Sequence, residues 1–290
     1  MSDKNELELT MENKTLTDIT KRNYRAVYKR LRKVLNTDII NTTNKDILDA
    51  ITDLSNSNYN SMYTYLNIAM IIKLHFDLNV EELEEQRQAL IGLKKNLVKY
   101  QNKAILDKLP AYKDYVKFIK NLYDANQFED FVINFLLLNY GVRNQDINVK
   151  IIDKKDFNNE LMGNYLVVYK NKIIYHRTDY KTYLQYGMKH IEITNKNFIH
   201  AVSNLPLNKY LLGGRDTPMN IGNLTSYIKA KTMRGLTQRE IFKMVINHIK
   251  TKPNFIQLLE FYSYNRGTNP QTIIDNYSHK TELPINDYLE

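Results

Sequence analysis

The 290-residue chain contains no cysteine. This absence excludes disulfide bonds, thiolate metal sites and cysteine nucleophiles, and it is consistent with a reducing, intracellular compartment. Clustered metal ligands are missing as well, because the six histidines are scattered along the chain. We therefore expect neither a metal site nor a bound cofactor.

Long apolar runs are also missing. The richest one, "FVINFLLLNYGV" (Phe131 to Val142), has about half the length that a helix needs to span a bilayer. The N-terminal "MSDKNELELTMENKT" mixes charges and lacks the apolar core of a signal peptide. We expect a flexible tail over residues 1–14 and no association with a membrane.

Positive charge is in excess, with 41 Lys and Arg residues against 32 Asp and Glu, a net charge of +9. This balance indicates a polyanionic partner. The basic stretch "KRNYRAVYKRLRK" predicts an amphipathic helix, in which an apolar stripe that includes Tyr28 and Leu31 is buried. Burial does not explain why the other face is almost entirely basic. We expect nucleic-acid contacts from Lys21, Arg22, Arg25, Lys29 and Arg32.

The order of the patterns predicts two domains. Helical periodicity dominates residues 15–105, and the proline in "DKLPAY" marks a break after them. Residues 106–281 combine helices with four strand-like runs, "INVKII", "YLVVYK", "KIIYHRT" and "MKHIEIT". The predicted fold class is mostly α with a small antiparallel β-sheet (α+β), followed by a tail over residues 282–290.

An apolar helix followed by glycine and arginine appears in "LLLNYGVRNQDI" (Leu136 to Ile147). On its own this is a common helix ending. Together with the motifs that follow, it resembles the tyrosine recombinase (phage integrase) family. In that family, "G-x-R-x-x-E/D" carries the first catalytic arginine, and Gly141, Arg143 and Asp146 match it.

Further motifs extend the resemblance. The loop of "IIYHRTDYKTYLQYGMKHIEIT" contains Lys181, which matches the family's hairpin lysine, and Lys170 and Lys172 in "VVYKNK" are rival candidates. "RGLTQREIFKMVINHI" places Arg239 after the cap Thr237 as the second arginine. Leu236 stands where the family usually has histidine.

The final motif, "NFIQLLEFYSYNRGTNPQTIIDNYSH", resembles the family's end pattern "Q-x-x-L-G-H-x-x-x-x-T-x-x-Y-x-H". Tyr277 matches the nucleophile, and Thr272 and His279 match the residues around it. The stretch before it is longer, and the usual histidine is absent. Arg266 is the candidate that takes its place as a phosphate donor, with Tyr262 as a less favoured one.

The resemblance implies a function. Family members cleave and rejoin DNA site-specifically through a 3′-phosphotyrosine intermediate, without metal or cofactor, as tetramers that hold double-stranded DNA between a helical core-binding domain and a catalytic domain. The leading hypothesis is such a recombinase, for example the integrase of a mobile element or virus, acting in the cytoplasm or nucleoid. The alternatives are a type IB topoisomerase, a DNA-binding relative without cleavage activity and an unrelated helical RNA-binding protein. The apolar side chains of the tail could pack on a neighbouring copy or on their own domain.

Overall fold

A computed structural model describes residues 5–277, apart from residues 13, 15, 17, 57 and 107. His279 and the tail over residues 282–290 lie outside the described residues. The chain divides into two compact units, Met1–Tyr100 and Gln101–Glu290.

The first unit is built from helices. Their bounds are α1 Glu6–Glu12, α2 Asp18–Leu35, α3 Asn44–Ser55, α4 Tyr59–His75 and α5 Glu81–Leu106, the last of which runs on past residue 100. The side chain of Thr43 caps α3 and that of Asn58 caps α4. Because a cap satisfies backbone N–H groups that have no partner within the helix, these residues fix where the two helices begin. Leu31, Ile47 and Leu66 meet in a core from which water is excluded.

The N-terminal residues differ from the expected flexible tail. Helix α1 is part of the core, with Leu7 buried to 1% exposure. The carboxylate of Glu6 accepts hydrogen bonds from the backbone N–H groups of Ile39 (2.8 Å) and Ile40 (3.0 Å). These donors begin a 3₁₀ turn and would otherwise be unsatisfied. The expectation of a flexible tail over residues 1–14 is therefore wrong for helix α1. Its apolar side chains pack in the core, and its Glu6 caps the 3₁₀ turn at Ile39.

The second unit combines helices with one sheet. The helices are α6 Tyr112–Asp124, α7 Phe128–Tyr140, α8 Tyr183–Tyr186, α9 Lys196–Ser203, α10 Ile221–Lys231, α11 Gln238–Ile249, α12 Phe255–Arg266 and α13 Pro270–Tyr277. The strands are β1 Lys150–Asp153, β2 Asn164–Val168, β3 Ile173–Arg177 and β4 Lys189–Ile193. The predicted α+β fold class is confirmed.

The sheet has the order β1-β2-β3-β4. Strands β2, β3 and β4 pair antiparallel as expected, whereas β1 pairs parallel to β2, so the sheet is mixed rather than purely antiparallel. The parallel pair forms because residues 154–163, which begin with a 3₁₀ turn, return the chain to the same end of the sheet. At the end of β3, Arg177 lies opposite Asn164 of β2 and Lys189 of β4.

Helix α7 lies at the centre of the second unit. Its apolar run is buried nearly all round, because α6, α9, α10, α11 and α12 all pack against it. A helix with apolar residues on every face is expected in such a central position. No helix among the described residues is both long enough and apolar enough to cross a membrane.

Candidate active site

Arg143 follows the C-terminus of α7. Gly141 ends that helix in the left-handed conformation, with φ +60°, and a Cβ atom there would collide with the ring of Phe242. Glycine is therefore required by both conformation and space. The backbone N–H of Arg143 donates to Asp146 Oδ2 at 2.9 Å, which fixes the turn that carries the guanidinium.

Arg266 is the last residue of α12, and its side chain is buried to 3% exposure. Its Nη1 donates to the backbone carbonyl of Gly141. In the opposite direction, Nη1 of Arg143 donates to the backbone carbonyl of Arg266 at 2.5 Å. Each arginine thus holds the segment that carries the other.

Tyr277 ends α13 and meets this pair. Its hydroxyl accepts a hydrogen bond from Nη2 of Arg266 at 3.0 Å. Its ring lies edge-on to Phe242, with 4.8 Å between centroids, and the guanidinium of Arg266 lies over the same Phe242 ring at 4.3 Å. The side chain is half-buried. The structure therefore brings together Arg143, Arg266 and Tyr277.

The site is strongly positive. Burial, and after it the nearby charge of Arg266, lowers the pKa of the Arg143 guanidinium. Two guanidinium groups that repel each other in a partly dehydrated site are stabilised by an anion between them. Within the described ranges, no group of three or more His, Asp or Glu side chains is placed to hold a metal ion.

Arg239 lies in the first turn of α11. It follows Thr237, which forms the predicted cap of α11 as part of a capping box. The neighbouring Gln238 accepts a hydrogen bond from the backbone N–H of Asn144 at 2.5 Å, so the start of α11 contacts the turn after Arg143. The side chain of Arg239 is exposed, and it makes no hydrogen bond to Tyr277 in the part of the chain that the structure describes.

Lys181 lies in the connection between β3 and β4, and its side chain is exposed. The next residue, Thr182, donates from its hydroxyl to the carbonyl of Gly267 at 2.6 Å. Gly267 directly follows Arg266, so the loop that carries Lys181 contacts the site. The rival Lys170 and Lys172 lie at the β2–β3 turn, where the ammonium of Lys172 is paired with Glu192 at 2.7 Å.

Two buried cations beside the site were missed by the sequence analysis. The side chain of Arg177 is 0% exposed and that of Lys189 is 1% exposed. The ammonium of Lys189 lies 3.7 Å from the ring centroid of Tyr264, and burial, with Arg177 as the second cause, lowers its pKa to about 8. The alternation of the strands could have predicted their burial. Arg177 lies two residues from the apolar Tyr175 and Lys189 two residues from the apolar Ile191, so each cation shares a strand face with a buried residue.

The residues predicted to bind DNA on α2 belong to the first unit. Arg22 and Lys29 are exposed, and Lys21 is partly buried. Arg25 makes a two-armed ion pair with Glu8, at 2.7 and 3.0 Å, and Arg32 pairs with Asp38 at 2.7 Å. The basic face is therefore present, although two of its five predicted residues already bind carboxylates.

One solved structure to which the chain is similar is the crystal structure of XerA recombinase. The two share 13% sequence identity with a TM-score of 0.38, over 96% of this chain and 94% of that chain. No family model matches the sequence, and no curated protein matches it.

Proposed function

We propose that this protein is a tyrosine-type site-specific DNA recombinase that cleaves and rejoins DNA through a 3′-phosphotyrosine intermediate. One observation carries the proposal: the hydroxyl of Tyr277 is hydrogen-bonded to Arg266, and Arg266 and Arg143 hold each other's segments. A phenol beside two guanidinium groups combines a nucleophile with two phosphate-binding forks.

In this reaction the Tyr277 oxygen attacks the phosphorus and gives its proton to water, while the bond from phosphorus to the 5′-oxygen breaks. Charge grows on the non-bridging oxygens, and Arg143 and Arg266 stabilise it by charge-assisted hydrogen bonds. Arg266 thereby supplies what histidine supplies in the family's end motif. The phosphotyrosine bond conserves the energy of the broken bond, so a 5′-hydroxyl can reverse the step without ATP.

The leaving 5′-oxygen needs a proton. We assign it to Lys181, whose loop contacts Gly267 next to Arg266, with Lys170 and Lys172 as the alternatives. A lysine ammonium that loses part of its hydration beside two arginines becomes a better acid. Lys181 and Arg239 are both exposed and lie next to residues that contact the site. We infer that bound DNA draws these two side chains onto the scissile phosphate.

Double-stranded DNA is the proposed partner of both units. The basic face of α2 would contact the phosphate backbone, which makes residues 15–105 a core-binding domain and residues 106–281 a catalytic domain. Exposed basic side chains such as Arg22 and Lys29 suit this role, since phosphate contacts do not depend on base sequence. Four copies on paired sites would carry out strand exchange.

The experiment begins by selecting bound duplexes from a random DNA pool with the purified full-length protein. A selected duplex with a nick beside the cleaved bond traps the intermediate, because the short leaving strand diffuses away. We expect an SDS-resistant adduct from the wild type and from the control Tyr264→Phe, and none from Tyr277→Phe. An adduct retained in Tyr277→Phe would refute Tyr277 as the nucleophile. Specific binding with no adduct from any protein would indicate a DNA-binding protein without cleavage activity.

A further inference from the structure

We propose that Arg177 is a positioning residue that sets the separation between Arg143 and Arg266. The inference rests on the proposed function, because it concerns the same site. Arg177 ends β3, and among the described residues it is the largest side chain that is completely buried. Its two terminal nitrogens reach two different segments of the chain.

The first arm reaches the turn after α7. Nη1 of Arg177 donates to Asp146 Oδ2 at 3.0 Å, and both side chains are 0% exposed. The same carboxylate oxygen accepts the backbone N–H of Arg143 at 2.9 Å. One oxygen atom therefore links the guanidinium of Arg177 to the backbone of Arg143.

The second arm reaches the end of α12. Nη2 of Arg177 donates to the backbone carbonyl of Asn265, the residue that precedes Arg266. The next carbonyl, that of Arg266, accepts Nη1 of Arg143 at 2.5 Å. Arg177 and Arg143 thus bind consecutive carbonyls at the C-terminus of the helix that carries Arg266.

Two tyrosine rings lie beside Arg177, one on β3 and one in the connection that follows it. Its guanidinium carbon lies 4.9 Å from the ring centroid of Tyr175 and 5.5 Å from that of Tyr180. Buried ion pairs seldom stabilise a fold more than apolar side chains of the same size would. A planar fork that spans two segments does provide fixed geometry, which a lysine cannot reproduce. Position rather than stability accounts for an arginine here.

The test is single-turnover adduct formation on the nicked duplex by the full-length protein. In Arg177→Lys one of the two links is lost, so the phosphate-binding forks shift relative to each other. We expect adduct formation to slow by about 10- to 100-fold, while the affinity for DNA changes by less than about 2-fold. Urea denaturation of each variant shows that it is folded under the assay conditions.

A double-mutant cycle separates positioning from a purely structural role. If Arg177 acts through Arg143, then Arg177→Lys slows an Arg143→Lys protein by less than about 3-fold further. Lys73→Met is the matched control in the first unit, since the ammonium of Lys73 is also buried and donates to the carbonyl of Thr42 at 2.7 Å. We expect that variant to lose stability without a change in the rate of adduct formation.

An unchanged rate in Arg177→Lys, or rate losses that multiply independently with those of Arg143→Lys, would overturn the proposal. If Arg177→Lys is unfolded in the assay, Asp146→Asn takes its place in the cycle. Asp146→Asn keeps an oxygen that can accept the N–H of Arg143 but weakens the link to Arg177. An unchanged rate of adduct formation in Asp146→Asn would also overturn the proposal. A wild-type protein that forms no adduct refutes the proposed function itself, which distinguishes the two failures.

Discussion

Arg266 and Tyr277 are joined by a hydrogen bond of 3.0 Å from Nη2 to the phenolic oxygen, although they lie on different helices. Gly267, in the left-handed conformation, ends α12 and lets the chain turn back into α13. The guanidinium and the phenol are therefore placed together by local chain geometry. Arg143, 123 residues before Arg266, completes the arrangement through the carbonyl of Arg266.

Substitution of Arg266 tests the proposal that its guanidinium donates hydrogen bonds to the scissile phosphate. Arg266→Lys keeps the positive charge but loses the two-armed geometry, so we expect adduct formation to slow by about 100-fold, the usual effect of losing one transition-state donor. Single-turnover kinetics on the nicked duplex measure the rate. A loss of less than about 3-fold would contradict the assignment of Arg266 to the role of the missing histidine.

The identity of the general acid can be tested with a modified substrate. Lys181→Ala should slow cleavage of ordinary DNA, because the 5′-oxygen then leaves without a proton. Replacing that bridging oxygen by sulfur should restore the rate, since a thiolate is a good leaving group unprotonated. Lys170→Ala and Lys172→Ala are assayed in parallel. Rescue of one of these two variants, and not of Lys181→Ala, would assign the general acid to the β2–β3 turn.

Gly141→Ala should destabilise the second unit. The substitution forces alanine into φ +60° and drives its Cβ into the ring of Phe242, so we expect a loss of at least about 2 kcal/mol in unfolding free energy. Gly92→Ala is the matched control, because a Cβ there meets no atom within 4 Å and helix α5 favours alanine. Urea denaturation measures both. Equal stability of the two variants would contradict the packing described for Gly141.

Lys189 should make stability depend on pH. Burial and Arg177 lower its folded-state pKa to about 8, whereas an unfolded lysine has a pKa of about 10.4. Between these values the unfolded chain binds more protons, so the unfolding free energy should rise with pH from about 8 to about 10.4. Subtracting the pH profile of Lys189→Met from that of the wild type isolates the contribution of Lys189 from those of other titratable groups, among them Asp146. Parallel pH profiles for the two proteins would contradict the lowered pKa.

The basic face of α2 predicts salt-dependent binding. Arg22→Ala should weaken DNA binding and reduce the slope of log affinity against log salt concentration by about one, as expected for one lost phosphate contact. Lys45→Ala removes one exposed positive charge from α3 and should leave the slope unchanged. Fluorescence anisotropy at several salt concentrations measures the slopes. Equal reductions in both variants would indicate a general charge effect rather than a binding face.

Much of the fold could be predicted from local sequence. The apolar run of α7, the cap Thr237 and the strand-like runs each depend on neighbouring residues, and the α+β class follows from their order. Helix α1 was missed because it is held in place by contacts with distant residues, such as the hydrogen bond from the backbone N–H of Ile39 to Glu6. The parallel pairing of β1 was missed for the same reason.

The candidate site, like the fold, could be predicted from the sequence only in part. The family resemblance gave Arg143 and Tyr277 as candidates, and Arg266 as the substitute for the absent histidine. The structure brings these three residues together. The resemblance could not reveal Arg177, because its two contacts, with Asp146 and the carbonyl of Asn265, are with distant parts of the chain. Nor could spacing show that Arg239 stays exposed, since the direction of its side chain depends on how the start of α11 meets the turn at Asn144.

The most direct measurement is to locate the covalent bond itself. The wild-type protein is trapped on the nicked duplex, digested with nuclease and protease, and its peptides are analysed by mass spectrometry. We predict a 3′-linked nucleotide remnant on the peptide that contains Tyr277, attached to that side chain. A remnant on any other residue, or a 5′-linked one, would contradict it.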